Sequence, residues 1–278
     1  MIAHLLHRLA KAQMNYQHPF GLLAQRLLGR RIVTVTDRAT GLRFRCRRGA
    51  DRMLGEIFHS QIYDIPTAPV ESGDVVVDVG ANHGFTSCYF AQRGATVIAF
   101  EPDPATYGFL EANVAANRLT DRIRTFPSAV AGQEGIARLQ TADELGGGMS
   151  TLNDQFANAH GLTITGTVSV RTESLPAIFS RLELDRVRLL KLDCEGSELD
   201  ILRSLDPATR EKIDSLAIEY HPEAYPLTEL VDVLLGWTGF QLSKVVTQEV
   251  TNANLNVVSE RAMREWARGT RTGMGCST

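Results

Sequence analysis

The chain has 278 residues, 44% hydrophobic and 22% charged, proportions that exclude disordered, collagen-like and coiled-coil classes and leave ample length for an enzyme-sized core. The formal net charge of -3 hides an asymmetry: residues 1 to 48 carry ten Lys or Arg against the single acid Asp37, so the remainder is acidic. Four dispersed cysteines, Cys46, Cys88, Cys194 and Cys276, form no C-x-x-C pair, which excludes a disulfide scaffold or zinc finger and fits a reducing, cytoplasmic compartment.

The first 28 residues place Leu5, Leu6, Leu9, Leu22, Leu23, Leu27 and Leu28 around a break at His18-Pro19-Phe20-Gly21, which predicts two short amphipathic helices. No apolar run reaches the roughly 18 residues a bilayer span needs, and His7, Arg8 and Lys11 interrupt the stretch where a signal peptide would have its core. Neither a membrane span nor a leader is expected. The basic charge suits an anionic surface or nucleic acid, but its only aromatic company is Tyr16, Phe20 and Phe44, so nucleic acid is not the expected partner. Alternation in Ile32 to Thr36 and Leu42 to Cys46, either side of Ala39-Thr40-Gly41, predicts a hairpin. Residues 1–70 read as an accessory cap that contacts substrate or a second copy of the chain in a homodimer, residues 71–268 as the main α/β domain, and residues 269–278 as a flexible tail.

From Asp74 onward apolar runs alternate with helical stretches: Val75 to Val79, a helix from Gly84 to Gln92, Val97 to Phe100, a helix from Pro104 to Asn117, then Ile123 to Phe126. That texture predicts βαβ units and a parallel sheet. The first βα junction reads Val75-Val76-Val77-Asp78-Val79-Gly80-Ala81-Asn82-His83-Gly84. Glycines at such a turn accept positive φ and let backbone pass close to a ligand. A dinucleotide is disfavoured: Asn82 stands where the fingerprint needs the glycine that touches the pyrophosphate, and the Asp78 carboxylate suits a cation better. S-adenosylmethionine, with an ammonium, a sulfonium and no phosphate, fits these residues, and Asn82 tolerates left-handed geometry. The second strand ends Phe100-Glu101-Pro102-Asp103, which puts Glu101 21 residues after Gly80 and in place to accept both hydroxyls of an adenosine ribose. The residues expected at the cofactor are therefore Asp78, Gly80, Ala81, Asn82, Gly84, Glu101 and Pro102, with Ser128 and Ala129 flanking the adenine. In the blander alternative Asp78 only caps the next helix and Glu101 is a solvated turn residue.

Gly146-Gly147-Gly148, followed by Met149-Ser150-Thr151, reads as a loop long enough to form a lid over a site. Later strands are expected at Val168 to Arg171, Val187 to Leu192, Ile213 to Glu219, Phe240 to Val246 and Asn254 to Val258, with no internal repeat. Within Leu189-Leu190-Lys191-Leu192-Asp193-Cys194-Glu195, charges interrupt a buried-looking strand, and period two puts Lys191, Asp193 and Glu195 on one side. The same period aligns Glu219 with His221. As parallel neighbours the two strands would bring Asp193, Glu195, Glu219 and His221 to the ligand edge of the sheet. Two chemistries stay open: Asp193, Glu195 or His221 as a general base taking a proton from an acceptor hydroxyl, or a magnesium or manganese site of Asp193, Glu195 and Glu219 that lowers the hydroxyl pKa. A purely structural reading pairs Lys191 with Glu219 and leaves His221 a turn residue ahead of Pro222.

Taken in order, Asp78-Val79-Gly80-Ala81-Asn82-His83-Gly84, Phe100-Glu101-Pro102, Leu190-Lys191-Leu192-Asp193-Cys194-Glu195-Gly196-Ser197-Glu198 and Ile218-Glu219-Tyr220-His221 resemble the FkbM family of S-adenosylmethionine-dependent methyltransferases, over about residues 70 to 250. The resemblance implies an α/β, class I methyltransferase fold: a Rossmann-like seven-stranded mixed sheet with helices on both faces and a reversed last strand. It also implies methyl transfer to a small-molecule acceptor, a hydroxyl on a sugar or secondary metabolite. By position, Asp78, Gly80, Asn82 and Glu101 would bind the cofactor, with Asp193 and Glu195 near its methionine end and the acceptor. The chain departs from the family at Thr172-Glu173-Ser174-Leu175, where relatives often have Thr-Leu-Asp, so an altered acceptor contact is expected there. The rival readings are N-methylation of a small molecule, 2′-O-methylation of nucleic acid through the basic arm, and a non-catalytic adenosine-binding module, which would leave the charges at Lys191 to Glu195 without purpose.

Overall fold

The computed structural model describes residues 15–142, 150–159, 163–237, 239–248 and 252–273 of the chain. Pro19 opens the first described helix, α1 (Pro19–Leu27), because a missing N–H costs nothing in a helix's first turn. The break expected at His18 to Gly21 is thus a helix start, and the helix expected upstream lies outside the described residues. β1 (Ile32–Thr36) and β2 (Arg43–Arg47) pair antiparallel, as the alternation predicts. Asp37 fastens their turn: its Oδ2 accepts from the Thr40 backbone N–H at 2.8 Å and from the Thr40 hydroxyl at 2.7 Å. The short helix α2 (Asp51–Leu54) runs on into a π-helical turn, Gly55–His59, a rare geometry that recurs at functional sites.

The βα alternation then begins with β3 (Val75–Val79), α3 (Phe85–Gln92), β4 (Thr96–Phe100), α4 (Pro104–Ala116) and β5 (Ile123–Phe126). Asp103 caps α4 by accepting from the N–H groups of Ala105 and Thr106, with Pro104 at the first helical position. Next come β6 (Ala129–Val130), β7 (Gly135–Ala142), α5 (Asp154–Ala159), β8 (Ile164–Glu173) and α6 (Leu175–Arg181). The chain closes with β9 (Leu189–Leu192), α7 (Glu198–Ser204), α8 (Pro207–Glu211), β10 (Ser215–Tyr220), α9 (Leu227–Leu235), β11 (Phe240–Gln248), β12 (Asn252–Ser259) and α10 (Glu260–Gly273).

Seven of these strands form one sheet in the order β11-β12-β10-β9-β3-β4-β5. All neighbours from β10 to β5 are parallel, and β12 runs antiparallel to both β10 and β11. This is the mixed seven-stranded sheet with a reversed last strand that the resemblance implies. Period-two alternation divides its side chains between two layers. Val76, Val97, Ala99 and Leu189 pack with Phe85, Phe90, Leu110 and the hairpin residues Val33, Val35 and Phe44. Val77, Val79, Ile98, Phe100, Leu190 and Leu192 pack on the other face with Leu175, Ile178, Leu199, Leu202 and Leu230. The accessory segment therefore shares a core with the α/β domain.

A small second sheet, β6-β8-β7, lies beside the main one. The sequence predicts only its Val168 to Arg171 portion; β7 escapes because most of its positions are exposed or half-exposed and carry no clean apolar alternation. The boundary expected after residue 268 falls inside α10. Among the described residues no helix is long and apolar enough to cross a membrane.

Candidate active site

The strand order reverses between β3, which leads outward to β4 and β5, and β9, which leads the other way to β10. Ligands of open α/β sheets sit at the carboxyl ends of the strands at such a switch point. Here Gly80 follows β3, Glu101 follows β4 and Asp193 follows β9. Gly80 has φ 75°, and a Cβ on it would stand 1.8 Å from the Asp193 carbonyl oxygen. Only glycine lets these two backbones pass, so the cofactor turn and the loop after β9 are in direct contact. The buried Lys191 ammonium joins them: it donates to the Gly80 carbonyl at 2.7 Å and lies 3.2 Å from both Asp78 Oδ1 and Asp193 Oδ2. Burial works against its charge, but the Asp193 and Asp78 carboxylates outweigh burial and raise its pKa above the ordinary lysine value. Lys191 thus pairs with Asp78 and Asp193.

At the other end of the cleft Glu101 is almost fully enclosed. Its Oε2 accepts from the Asn82 backbone N–H at 2.8 Å and its Oε1 from the Asp103 N–H at 2.9 Å. Burial pushes its pKa up to about 7 in spite of those two donors. Asn82 adopts the left-handed conformation at φ 52°, and its Oδ1 contacts His83 Nδ1. The His83 ring stacks on Phe85, accepts the Arg47 backbone N–H at Nε2 over 3.2 Å, and is held neutral by burial and Arg47, with its pKa lowered to about 3. His83 is a site-shaping residue that the sequence does not single out.

The parallel pairing of β9 with β10 brings the second constellation together. Tyr63, from the segment after the π-helical turn, donates its hydroxyl to Asp193 Oδ2 at 3.0 Å and lies 3.4 Å from Glu219 Oε2. Burial, then Asp193 and Glu219, raise the Tyr63 pKa, so the phenol keeps its proton. Burial raises Glu195 to about 8 despite the nearby His221, and raises Glu219, further pushed by Asp193, to about 8. The buried His221 sits between two carboxylates, with Nε2 3.4 Å from Glu195 and Nδ1 3.1 Å from Glu198. Burial would lower its pKa, but Glu198 and Glu195 raise it well above the ordinary value. Glu198 in turn collects the Cys194 N–H at 2.8 Å, the Gly196 N–H at 3.1 Å and the Tyr225 hydroxyl at 3.1 Å. Burial alone would raise Glu198, yet His221 and the Cys194 backbone N–H pull it down to about 2. Glu198 and Tyr63 are the organising residues of this end; Glu198 closes the motif that starts at Leu190 but has no role assigned from the sequence, and nothing in the sequence marks Tyr63.

One cleft runs between the two ends. Its walls include Gly80, Asn82, Glu101, Pro102 and Ala129 on the cofactor side, Asp193, Glu195 and Glu219 on the other, and Met53, Glu56, Ile57, Ile62 and Tyr63 from the accessory segment. Among the described lining residues there are five acids and no Lys or Arg. Four expected cofactor residues do not reach it. Asp78 is fully buried behind the turn, accepting from Ser87 Oγ at 2.6 Å and facing Lys191. Ala81 fastens the turn through its N–H to Phe100, and Gly84, at φ 81°, makes room for Leu110. Ser128 donates to Glu173 at 2.7 Å, and Glu173 also holds Arg181 at 2.7 Å. The departure at Glu173 therefore serves an internal network and does not line the cleft, a correction to the acceptor contact expected there. His221, too, is shielded from the cleft. Of the expected lid, residues 143–149 lie outside the described residues; Ser150 lines the cleft and donates to Asp103 at 2.9 Å, while Thr151 Oγ1 donates to the Glu195 carbonyl at 2.7 Å.

The carboxylates also bear on the metal expectation. Among the described residues the ligand atoms of Asp193, Glu219 and His221 come within 4.8 Å of one another, with Glu195 outside that group. These residues fit a divalent cation poorly. Each ring nitrogen of His221 has a carboxylate within 3.4 Å, and those carboxylates raise its pKa well above the ordinary value, which favours the protonated ring over a metal ligand. Asp193 already neutralises the Lys191 ammonium.

The profile of the Methyltransferase FkbM domain matches residues 78–242. The chain is 27% identical over 214 residues to "Methyltransferase sdnD" of Sordaria araneosa, covering 68% of this chain and 81% of that protein. It is 28% identical over 211 residues to "31-O-demethyl-FK506 methyltransferase FkbM" of Streptomyces tacrolimicus, covering 67% and 80%. It is 27% identical over 158 residues to "Hexuronic acid methyltransferase AglP" of Haloferax volcanii, covering 56% and 59%.

Proposed function

Because the chain belongs to the FkbM methyltransferase family and is an S-adenosylmethionine-dependent methyltransferase, we propose that its cleft methylates a hydroxyl oxygen of a sugar or natural-product acceptor. Two relatives are named for such acceptors, an O-demethyl natural product and a hexuronic acid. The observation that carries the reading is the carboxylate cluster facing the cleft from β9 and β10. A hydroxyl must shed its proton as it attacks, and Glu195 and Glu219, both raised to about 8, are matched to receive it near neutral pH.

S-adenosylmethionine supplies a sulfonium methyl for in-line displacement. The Glu101 oxygens keep lone pairs beyond their two backbone donors and suit ribose hydroxyls, with Gly80, Asn82, Pro102 and Ala129 beside them. Among its described lining residues the cleft has no Lys or Arg to hold a phosphate, which argues against a dinucleotide and against a nucleic-acid acceptor. Asp193, tied to Lys191 and Tyr63, is the positioning carboxylate. Glu219 and Glu195 are the candidate bases, while a doubly flanked His221 holds Glu195 in place.

The test incubates the full chain with methyl-deuterated donor and separate pools of uronic acid sugars, polyhydroxylated macrolides, amines and RNA, reading label by mass spectrometry. Label on oxygen of a sugar or macrolide, at a rate that rises between pH 6.5 and 8.5 and drops at least 100-fold in Glu219→Gln, is the expected result. Transfer confined to amines or RNA would reject the acceptor assignment. Chelation by EDTA is expected to leave the rate unchanged.

A further inference from the structure

Outside the cleft, the exposed apolar and basic residues of the accessory segment share one surface. Helix α1 turns Pro19 and Leu22 inward and leaves Phe20 67% and Leu27 79% exposed, with Leu28, the residue capping its end, 73% exposed. The chain then continues Gly29-Arg30-Arg31-Ile32, every residue exposed. Across the hairpin Ile32 pairs with Arg47. Arg48 donates its backbone N–H to the Arg31 carbonyl at 2.7 Å and its guanidinium to the Arg26 carbonyl at 3.5 Å. Arg48 therefore lies beside Arg31, whereas the Arg47 guanidinium turns away to Thr106 at 2.8 Å and the Phe109 ring.

We propose that this face docks on an anionic lipid surface, with the outer side of α1 entering the headgroup boundary and the arginines meeting lipid phosphates. Clustered exposed apolar side chains rimmed by cations are the mark of an interfacial element. Charge complementarity selects the lipid. Residues 15–48 hold eight Arg and one acid, Asp37; Asp37 is buried and committed to Thr40 and His59, and with Arg26 paired to Asp51 and Arg47 held by Thr106 the basic excess of this face rests on the other six. RNA would use the arginines but leave Phe20, Leu27 and Leu28 in water. A two-fold contact with a second copy would press the basic patch against itself.

The test is flotation of the full chain with phosphatidylglycerol-containing vesicles and with phosphatidylcholine vesicles, at low and high salt. It includes the pairs Leu27→Glu with Leu28→Glu and Arg30→Glu with Arg31→Glu, all at exposed positions, with circular dichroism as the folding check. The chain is expected to float with the anionic vesicles only, less so at high salt, and each pair to lower partitioning at least about tenfold. Absence of flotation, or flotation that neither pair weakens, overturns the proposal. A dimer dissolved by the leucine pair, or an RNA complex lost with the arginine pair, in each case without vesicle binding, reassigns the face and overturns it equally.

Discussion

Gly80 decides whether the two halves of the cleft can coexist. With φ at 75° and only 1.8 Å from an added Cβ to the Asp193 carbonyl oxygen, Gly80→Ala must displace either the cofactor turn or the loop after β9. The cost is expected to exceed about 2 kcal/mol. Binding of S-adenosylhomocysteine, read by calorimetry, should weaken at least tenfold, and thermal melts should fall; an alanine variant equal to the parent in both would contradict the close approach. This position was legible in the sequence because backbone geometry is written locally: a glycine after a strand, an Asn fit for left-handed φ, an acid at the next strand end. Asp78 and Ser128 were not legible in the same way. Whether their oxygens face a cleft or an internal partner depends on Lys191 and Glu173, more than 40 residues away in each case.

Docking of the hairpin depends on two asparagines one helical turn apart, Asn113 in α4 and Asn117 at its C-terminal cap. Asn113 accepts the Arg45 N–H at 2.8 Å and donates to the Arg45 carbonyl at 3.0 Å and the His83 carbonyl at 2.8 Å. Asn117 repeats the exchange with Arg43 at 2.8 Å in each direction. The helix thereby satisfies a strand edge that would otherwise be open. Asn113→Ala leaves buried backbone groups unpaired and is expected to cost about 2–4 kcal/mol in denaturant unfolding, with the more exposed Asn117→Ala costing less. Equal small losses would show that the helix does not hold the hairpin. Helices, strands and the parallel order were readable from periodicity, but this junction was not, because an asparagine bonding a strand edge has no period. Of the second sheet only Val168 to Arg171 was readable, because β7 is mostly exposed or half-exposed and β6 is two residues long.

At the scale of the whole molecule, the acidic cleft makes stability depend on pH. Burial raises Glu101 to about 7 and Glu195 and Glu219 to about 8, from an ordinary value of 4.5. Between those limits the folded chain binds more protons than the unfolded one, so stability falls as pH rises. His221, raised by its carboxylate neighbours, adds to the decline as it loses its proton above the ordinary histidine range. Glu198, lowered to about 2, contributes stability that is lost only as pH falls below about 4.5, outside this window. Melting of the ligand-free chain is therefore expected to drop by several degrees between pH 5.5 and 8.5, and S-adenosylmethionine to flatten the slope by supplying positive charge; a flat or rising curve without ligand would refute the buried-acid account. Lys191 adds a constraint on divergence. Because a single ammonium serves both the donor turn and the acceptor loop, a mutation that retunes Asp193 for a new substrate disturbs Gly80 as well. Specificity is freer to drift along Met53, Glu56 and Ile57, which border the same cleft without sharing that counterion.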